Sequence, residues 1–532
     1  MPLPDAVTLP KLVFSEVLLA GLLVLLGARL WHGGAGLRRT VADVPIALFA
    51  GSAIAATLLG IAPLLSVSGT PLRQDGLVSL LLYALLAWIT AQLVTSADGA
   101  RRVQLAIVVG AYAASILALL EVARSAADTV GAGETAFTFA GLARAAGPLG
   151  NPNTLGALLA LSIPLAIAAL IASTDGATRV AMGNVVVVLV LALALTFSRS
   201  AWIGALVGVA VVVAPVLRAA PRRTVGVAVA AALGLAALVG LAGLTEVPIA
   251  TAVTSRATAL ADPAGSFGTR LRIWGEAVDV VRARPLLGVG PGAFGLAYPE
   301  VQRGDWTGGA LVDKAHAEPL DVAATQGILG LAAYAWTLGV ILRVAASRGS
   351  GPASTGALGG LVGYLASLAV NFTALPAAVP FWILAGTVLG ALPREGSGIA
   401  PRPAAVAAAA VAVLLATNAI RTVAAEVSYG DVAGGATAVE RALALAPERT
   451  DYAELAGDLA RERGDLPAAV ARYEHAARVG TARPTLHWKL ALSYDELGMR
   501  AQAVRAAEVA VRMHPFDPRN EALLCQLRIA CQ

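Results

Sequence analysis

The chain has 532 residues, of which 57% are hydrophobic and 14% charged, and its mean hydropathy is +0.74. Soluble domains carry roughly 45–50% apolar and about 25% charged residues, so the composition excludes a soluble enzyme and predicts an all-α chain that crosses a bilayer repeatedly. The net charge of +5 is scattered as arginines through short connections, which excludes a nucleic-acid-binding surface.

In chain order, the N-terminal Met1–Lys11 stretch lacks a basic segment, and the first apolar run ends in Arg29-Leu30-Trp31-His32 instead of a small-residue cleavage site. It reads as a retained first helix. A bilayer core takes about 20 apolar residues per helix. About twelve candidate spans follow, at 12–30, 44–65, 76–95, 103–123, 154–173, 180–197, 200–217, 224–243, 319–345, 355–375, 379–392 and 404–425. The span pair around Pro376–Pro380 fixes the parity of everything after it. Connections after odd-numbered spans hold Arg38, Arg39, Arg101, Arg102, Arg179, Arg218, Arg222, Arg223, Arg348, Arg394 and Arg402; those after even-numbered spans hold Arg73, Arg124 and Arg144. Arginine-rich connections stay in the cytoplasm. The even-numbered connections are therefore expected outside, with Lys11 the one mild dissent.

That parity puts three unusual features on the outer face: Gly150-Asn151-Pro152-Asn153, Ser198-Arg199-Ser200, and a connection from about 244 to 318. Loops longer than about 15 residues are usually functional or disordered. This one carries Arg270, Arg272, Trp274, Tyr298, Trp306 and His316, which is not a disordered composition. Gly288-Val289-Gly290 does not read as a dinucleotide site, because no strand precedes it and Pro291 interrupts the pattern. Its glycines and Pro285 predict a tight re-entry turn. Asn151 and Asn153 either bind a glycan or phosphate or simply make a turn with a helix cap. Asn371-Phe372-Thr373 has the pattern of a glycosylation sequon but falls inside an expected span.

From 426 onward the composition becomes that of a water-soluble helical domain. Gly430, Gly464 and Gly498 recur every 34 residues, and Pro447 and Pro515 close corresponding units. This resembles the tetratricopeptide family, with its first helix continuing from the last span. The expected domains are thus 1–425 in the membrane and 426–532 as a repeat tail, which either binds a protein partner or guides substrate. The only cysteines, Cys525 and Cys531, offer neither a disulfide framework nor a thiolate metal site.

Within residues 45 to 390, Gly268-Thr269-Arg270-Leu271-Arg272-Ile273-Trp274, then Arg284-Pro285 through Phe294, then Lys314-Ala315-His316-Ala317-Glu318-Pro319-Leu320 and Gln326-Gly327-Ile328-Leu329-Gly330 follow one another. With Ser198-Arg199 and the Asn-Pro-Asn turn, their order and spacing resemble the O-antigen ligase and polymerase family of membrane glycosyltransferases. The resemblance implies transfer of a glycan from an undecaprenyl-pyrophosphate carrier to an acceptor hydroxyl, at the outer face of the inner membrane and without a metal ion. It places Arg199 and Arg270 on the pyrophosphate, with Arg272 a secondary substrate-binding candidate. Guanidinium groups suit this because they stay ionised and grip phosphate oxygens bidentately. It also makes His316 the base for the acceptor; the other readings are that His316 binds pyrophosphate or orients a loop. Of the remaining histidines, His32 lies on the cytoplasmic side and His475, His487 and His514 in the tail. Typical members carry Asn after the histidine and an acid before the next span's glycine, where this chain has Ala317 and Gln326; Glu318 or Asp321 could substitute.

The competing readings are a surface-polysaccharide polymerase, a protein O-oligosaccharyltransferase, a solute transporter, or a membrane-anchored scaffold. A transporter keeps ionisable groups deep in its spans, whereas here Glu16, Glu121 and Asp321 lie near span ends. Removing 430–532 separates scaffold from enzyme, since the enzyme is expected to keep some transfer.

Overall fold

The computed structural model describes residues 9–33, 36–127, 138–139, 142–219, 266–309, 311–390, 399–431 and 434–528. The span expected at 224–243, the first part of the long connection, and Arg222, Arg223 and Arg394 lie outside the described residues.

Among the described residues the regular structure is helical, apart from two short antiparallel strands, Thr138–Phe139 and Leu142–Ala143. In the first half, α1 is Leu9–Gly33, α2 Asp43–Leu59, α3 Pro63–Ser68, α4 Leu77–Leu93 and α5 Ala97–Ala127. Then come α6 Pro152–Ala172, α7 Gly176–Leu195 and α8 Arg199–Ala219. The second half holds α9 Ser266–Ala283, α10 Phe294–Ala297, α11 Glu318–Ala346, α12 Pro352–Leu368, α13 Leu375–Gly390 and α14 Pro401–Gly430. Seven of these, α1, α5, α6, α7, α8, α11 and α14, are long and apolar enough to cross a membrane, and α2, α4 and α13 are shorter apolar helices. The expected single span at 44–65 is two pieces, because the chain breaks at Gly60-Ile61-Ala62 ahead of Pro63.

Small residues set the packing. A Cβ on Gly204 would lie 2.4 Å from the Gly363 carbonyl oxygen and 2.8 Å from the Ser367 Cβ, and one on Gly208 would lie 2.5 Å from the Gly359 oxygen. The backbones of α8 and α12 therefore approach closely and run antiparallel, as small residues permit between membrane helices. Pro164, inside α6, fills the space beside Gly208 and Gly359. Because α8 and α12 are antiparallel, the start of α8 and the turn after α12 lie at the same end of the bundle.

That end is built around a re-entrant segment. Gly327 (φ 68°, ψ −173°) breaks α11, and a Cβ there would lie 2.2 Å from the Leu286 backbone. The break leaves carbonyls and an amide without helical partners, which lipid cannot satisfy. Residues 285–290 satisfy them: the Val289 and Gly290 amides donate to the Ala324 and Thr325 carbonyls at 2.9 Å, and the Ile328 amide donates to Pro285 at 2.8 Å. Val289 also accepts from the Ile61 amide at 2.9 Å, so one segment braces two broken helices. The re-entry turn expected of Pro285 and its glycines is what these bonds describe.

Beyond α14 the chain makes antiparallel pairs. α15 is Gly435–Leu445, α16 Thr450–Glu462, α17 Leu466–Val479, α18 Pro484–Glu496, α19 Arg500–Met513 and α20 Pro518–Arg528. Helices begin at Thr450, Pro484 and Pro518, which reproduces the spacing of 34 seen in the glycines. Gly464 (φ 79°) and Gly498 (φ 73°) make the turns within pairs, in the left-handed region open to glycine. The tail is fastened to the bundle. Asn418 of α14 donates to Glu16 of α1 at 2.8 Å, and Arg421 makes a double hydrogen bond to Glu448. Farther on, a Cβ on Gly480 would lie 3.1 Å from Ala62 and 3.4 Å from Leu296, so the turn after α17 sits on the re-entrant end. Cys525, in α20, is disulfide-bonded.

Candidate active site

The strand of chain leading into α11 is held from both sides. Asp313 accepts from Arg73 Nε and NH2 at 2.8 and 3.0 Å. Lys314 Nζ sits between Asp75 (2.6 Å) and Asp321 (3.0 Å), with side-chain exposures of 8, 15 and 9% in that order. The Ala315 amide donates to the other oxygen of Asp321 at 3.2 Å. Burial alone would favour neutral Lys314, but Asp321 and Asp75 outweigh it and hold the ammonium above its usual range. Burial likewise opposes ionised Asp75, yet Lys314 and then Arg73 bring it below the usual carboxylate range. On the far side, buried Glu318 accepts from the Thr373 amide at 2.7 Å.

His316 stands between these anchors in a left-handed backbone conformation (φ 54°), which non-glycine residues rarely adopt and which costs strain. Phe197 (φ 49°), two residues before Arg199, and Gln74 (φ 52°), beside Arg73 and Asp75, share it. The His316 ring lies 5.3 Å from that of Phe372, and the Arg73 guanidinium covers Phe372 at 4.4 Å. Nδ1 of His316 is buried without a hydrogen-bond partner. Burial first, and then the Arg270 cation, push its pKa down to about 4. The ring is therefore neutral near pH 7, with a nitrogen free to accept a proton.

Arg270, on α9, donates to the Val370 carbonyl in the turn between α12 and α13, two residues from Phe372. Arg199 opens α8, at the same end of the bundle as that turn. Arg270 and His316 are thus brought together, while Arg199 is placed only at the same end of the bundle. Arg272 is placed elsewhere, its guanidinium 4.5 Å from the Trp306 ring. The Asn151 side chain caps α6 by accepting from the Asn153 amide at 2.8 Å, and Asn153 accepts from Arg144 at 3.3 Å. Asn151 is thus the helix cap, and the Asn153 side chain is held by Arg144.

Several site residues escaped the sequence reading. Arg73, Asp75 and Asp313 are scattered charges in sequence, and only their convergence shows a role. Asn371-Phe372-Thr373 was expected inside a span; α12 ends at Leu368, so these residues form the turn against His316 and Glu318. A recess of about 50 Å³ beside the Lys314 pairs is lined by Asp75, Glu318, Asp321 and Gln326, and Gln326 Oε1 has no hydrogen-bond partner. That volume suits a few waters.

Fold and site together define a multi-pass, all-helical membrane protein with arginines and a neutral histidine gathered at one end of its bundle. Residues 184–335, which include Arg199, Arg270 and His316, match the family model described as O-antigen ligase. This supports glycosyl transfer of the O-antigen ligase or polymerase type in the membrane. No curated protein matches the chain.

Proposed function

We propose that the protein transfers a glycan from an undecaprenyl-pyrophosphate donor to an acceptor hydroxyl at the outer face of the inner membrane, with arginine cations in place of a metal. The observation that carries this is the unpartnered, buried Nδ1 of neutral His316 beside Arg270. In the step, the acceptor O–H gives its proton to Nδ1 while its oxygen forms a bond to the anomeric carbon. The anomeric C–O bond to phosphate breaks, and its electron pair leaves with the pyrophosphate. Arg270 and Arg199 face that growing charge, and hydrogen bonds to charged groups are worth about 1.5–3 kcal/mol each.

The arginine asymmetry supports the orientation. The end opposite the site carries Arg38, Arg39, Arg101, Arg102, Arg179, Arg348 and Arg402, the sign of a cytoplasmic face. The loop and the tail, here read as tetratricopeptide repeats, then stand in the periplasm, where a bonded Cys525 is chemically at home.

The test is transfer from a pyrophosphate-linked donor by purified protein, with and without chelator. His316→Ala and Arg270→Ala are each expected to lower the rate about 10²–10³-fold, and chelator to leave the wild type unchanged. Undiminished transfer by both variants refutes the assignment.

A further inference from the structure

The tail and the re-entrant end enclose a cavity of about 400 Å³ that the catalytic step does not use. One wall is formed by residues between Tyr298 and Gly309, including Gln302 and Asp305, together with Leu311 and Val312; the other is the turn after α19, including His514, Phe516 and Asp517. Both walls are fixed. Buried Glu276 of α9 accepts from Tyr298 Oη, from Trp306 Nε1 at 2.8 Å and from the Arg303 amide at 2.8 Å, which ties down the first wall. Asp305 accepts from the Gly309 amide at 2.9 Å and shapes its lip. On the second wall, a ring nitrogen of His514 meets the Ala482 carbonyl at 3.3 Å, and Asn520 donates to Ala510 at 3.2 Å. Beside the cleft, a Cβ on Gly295 of α10 would lie 3.4 Å from Ala482, the residue whose carbonyl meets His514.

We infer that this cleft holds a glycan chain a few sugars away from the reacting hydroxyl. The inference rests on the transfer reading above. The size falls within the roughly 300–1,000 Å³ of ligand sites, which combine apolar surface with a few polar groups. An exposed aromatic ring, Phe516 at 44%, offers its face to sugar C–H groups. The Gln302 amide and the Asp305 and Asp517 carboxylates, with Arg519 paired to Asp517 at 2.7 Å, offer planar partners for hydroxyls. Val312 in the cleft and His316 at the site lie on one stretch of backbone. Four residues span at most about 14 Å, a reach of two or three sugar units. A chain whose end reacts at His316 therefore has its next units at this cleft, and the tail becomes half of a substrate site.

The experiment uses the full chain in nanodiscs with Gly308→Cys at the lip. The probes are the glycan released by mild acid from the lipid-linked pool of the source cells and the glycan cleaved from their mature envelope, each sized into one-unit and multi-unit fractions. Maleimide labelling of Gly308→Cys is expected to be blocked by multi-unit glycan and not by single units. Protection by lipid-pool glycan alone assigns the cleft to the donor, and protection by envelope glycan alone to the acceptor. Phe516→Ala and, separately, Gln302→Ala in this background are expected to weaken protection about tenfold, and His316→Ala to leave it intact. Protection by neither glycan, or protection undiminished by both cleft variants, overturns the inference. Protection that persists while His316→Ala transfers at the wild-type rate overturns the catalytic reading and spares the cleft.

Discussion

Lys314 shows how much of the candidate site is electrostatic scaffolding. Its ammonium is enclosed between Asp75 and Asp321, and removing one partner of a buried ionic cluster costs about 3–5 kcal/mol, because the remaining charges stay buried and uncompensated. Lys314→Ala should lower the melting temperature sharply in detergent, whereas Asp75→Asn combined with Lys314→Met should recover part of the loss. Equal melting temperatures for the single and double variants would show that the cluster is uncoupled. His316 gives a prediction in pH. Its folded-state pKa of about 4 lies below the ordinary 6.5, so between those values the unfolded chain binds the extra proton. Its contribution to stability is whole above pH 6.5 and declines as pH falls towards 4. The ring stays neutral and competent as a base through the same window. The rate of transfer should hold steady from pH 8 to about 5; a half-point near 6.5 would contradict the burial of His316. His316, Arg199 and Arg270 entered as candidates through the resemblance of their motifs, and His316 also because the other four histidines fall on the cytoplasmic side or in the tail. Arg73, Asp75 and Asp313 were not legible, since nothing in a sequence pairs charges so far apart.

At the scale of elements, the bundle's candidate site depends on a helix that is not continuous. Hydropathy reads 319–345 as one span, because a glycine in an apolar run leaves no mark on it. Only the backbone shows α11 opening at Gly327 to receive residues 285–290. Gly327→Ala should therefore be severe. The left-handed conformation alone costs a side chain about 1–3 kcal/mol, and a Cβ would overlap the Leu286 backbone. Loss of monodisperse protein on size exclusion is the expected outcome, whereas Gly339→Ala, in the same helix with open space around it, should behave as wild type. Span limits carried a second error. An expected end at 375 hid the turn that presents Phe372 to His316, because apolar composition continues through Leu375 although the helix stops at Leu368.

For the whole molecule, the tail is a part of the site's surroundings. Its helix pairs were legible from glycines 34 residues apart. Its docking was not, because the contacts of Gly480 with Ala62 and Leu296 join distant parts of the chain through small residues with no pattern. A chain truncated at 430 was expected to retain some transfer. The docked tail leads to a stronger expectation: truncation exposes the α3 and α10 surfaces and lowers the transition temperature along with activity. Gly480→Val, which keeps the tail but wedges its contact, should reproduce part of the loss. A truncated protein with unchanged transition temperature and rate would show that the contact carries no energy.

The hydrogen bond from the Ile61 amide to the Val289 carbonyl also orders events during synthesis. When α2 and α3 leave the ribosome, the group that completes their break has not yet been translated. Until it arrives, the first half of the bundle enters lipid with bare amides, which is costly in hydrocarbon. Nascent chains stopped before Pro285 should be recognised as unfinished by membrane quality-control proteases, whereas chains stopped after α11 should escape them. The re-entrant segment is in this sense the keystone of biogenesis, the last stone without which the earlier ones do not stand.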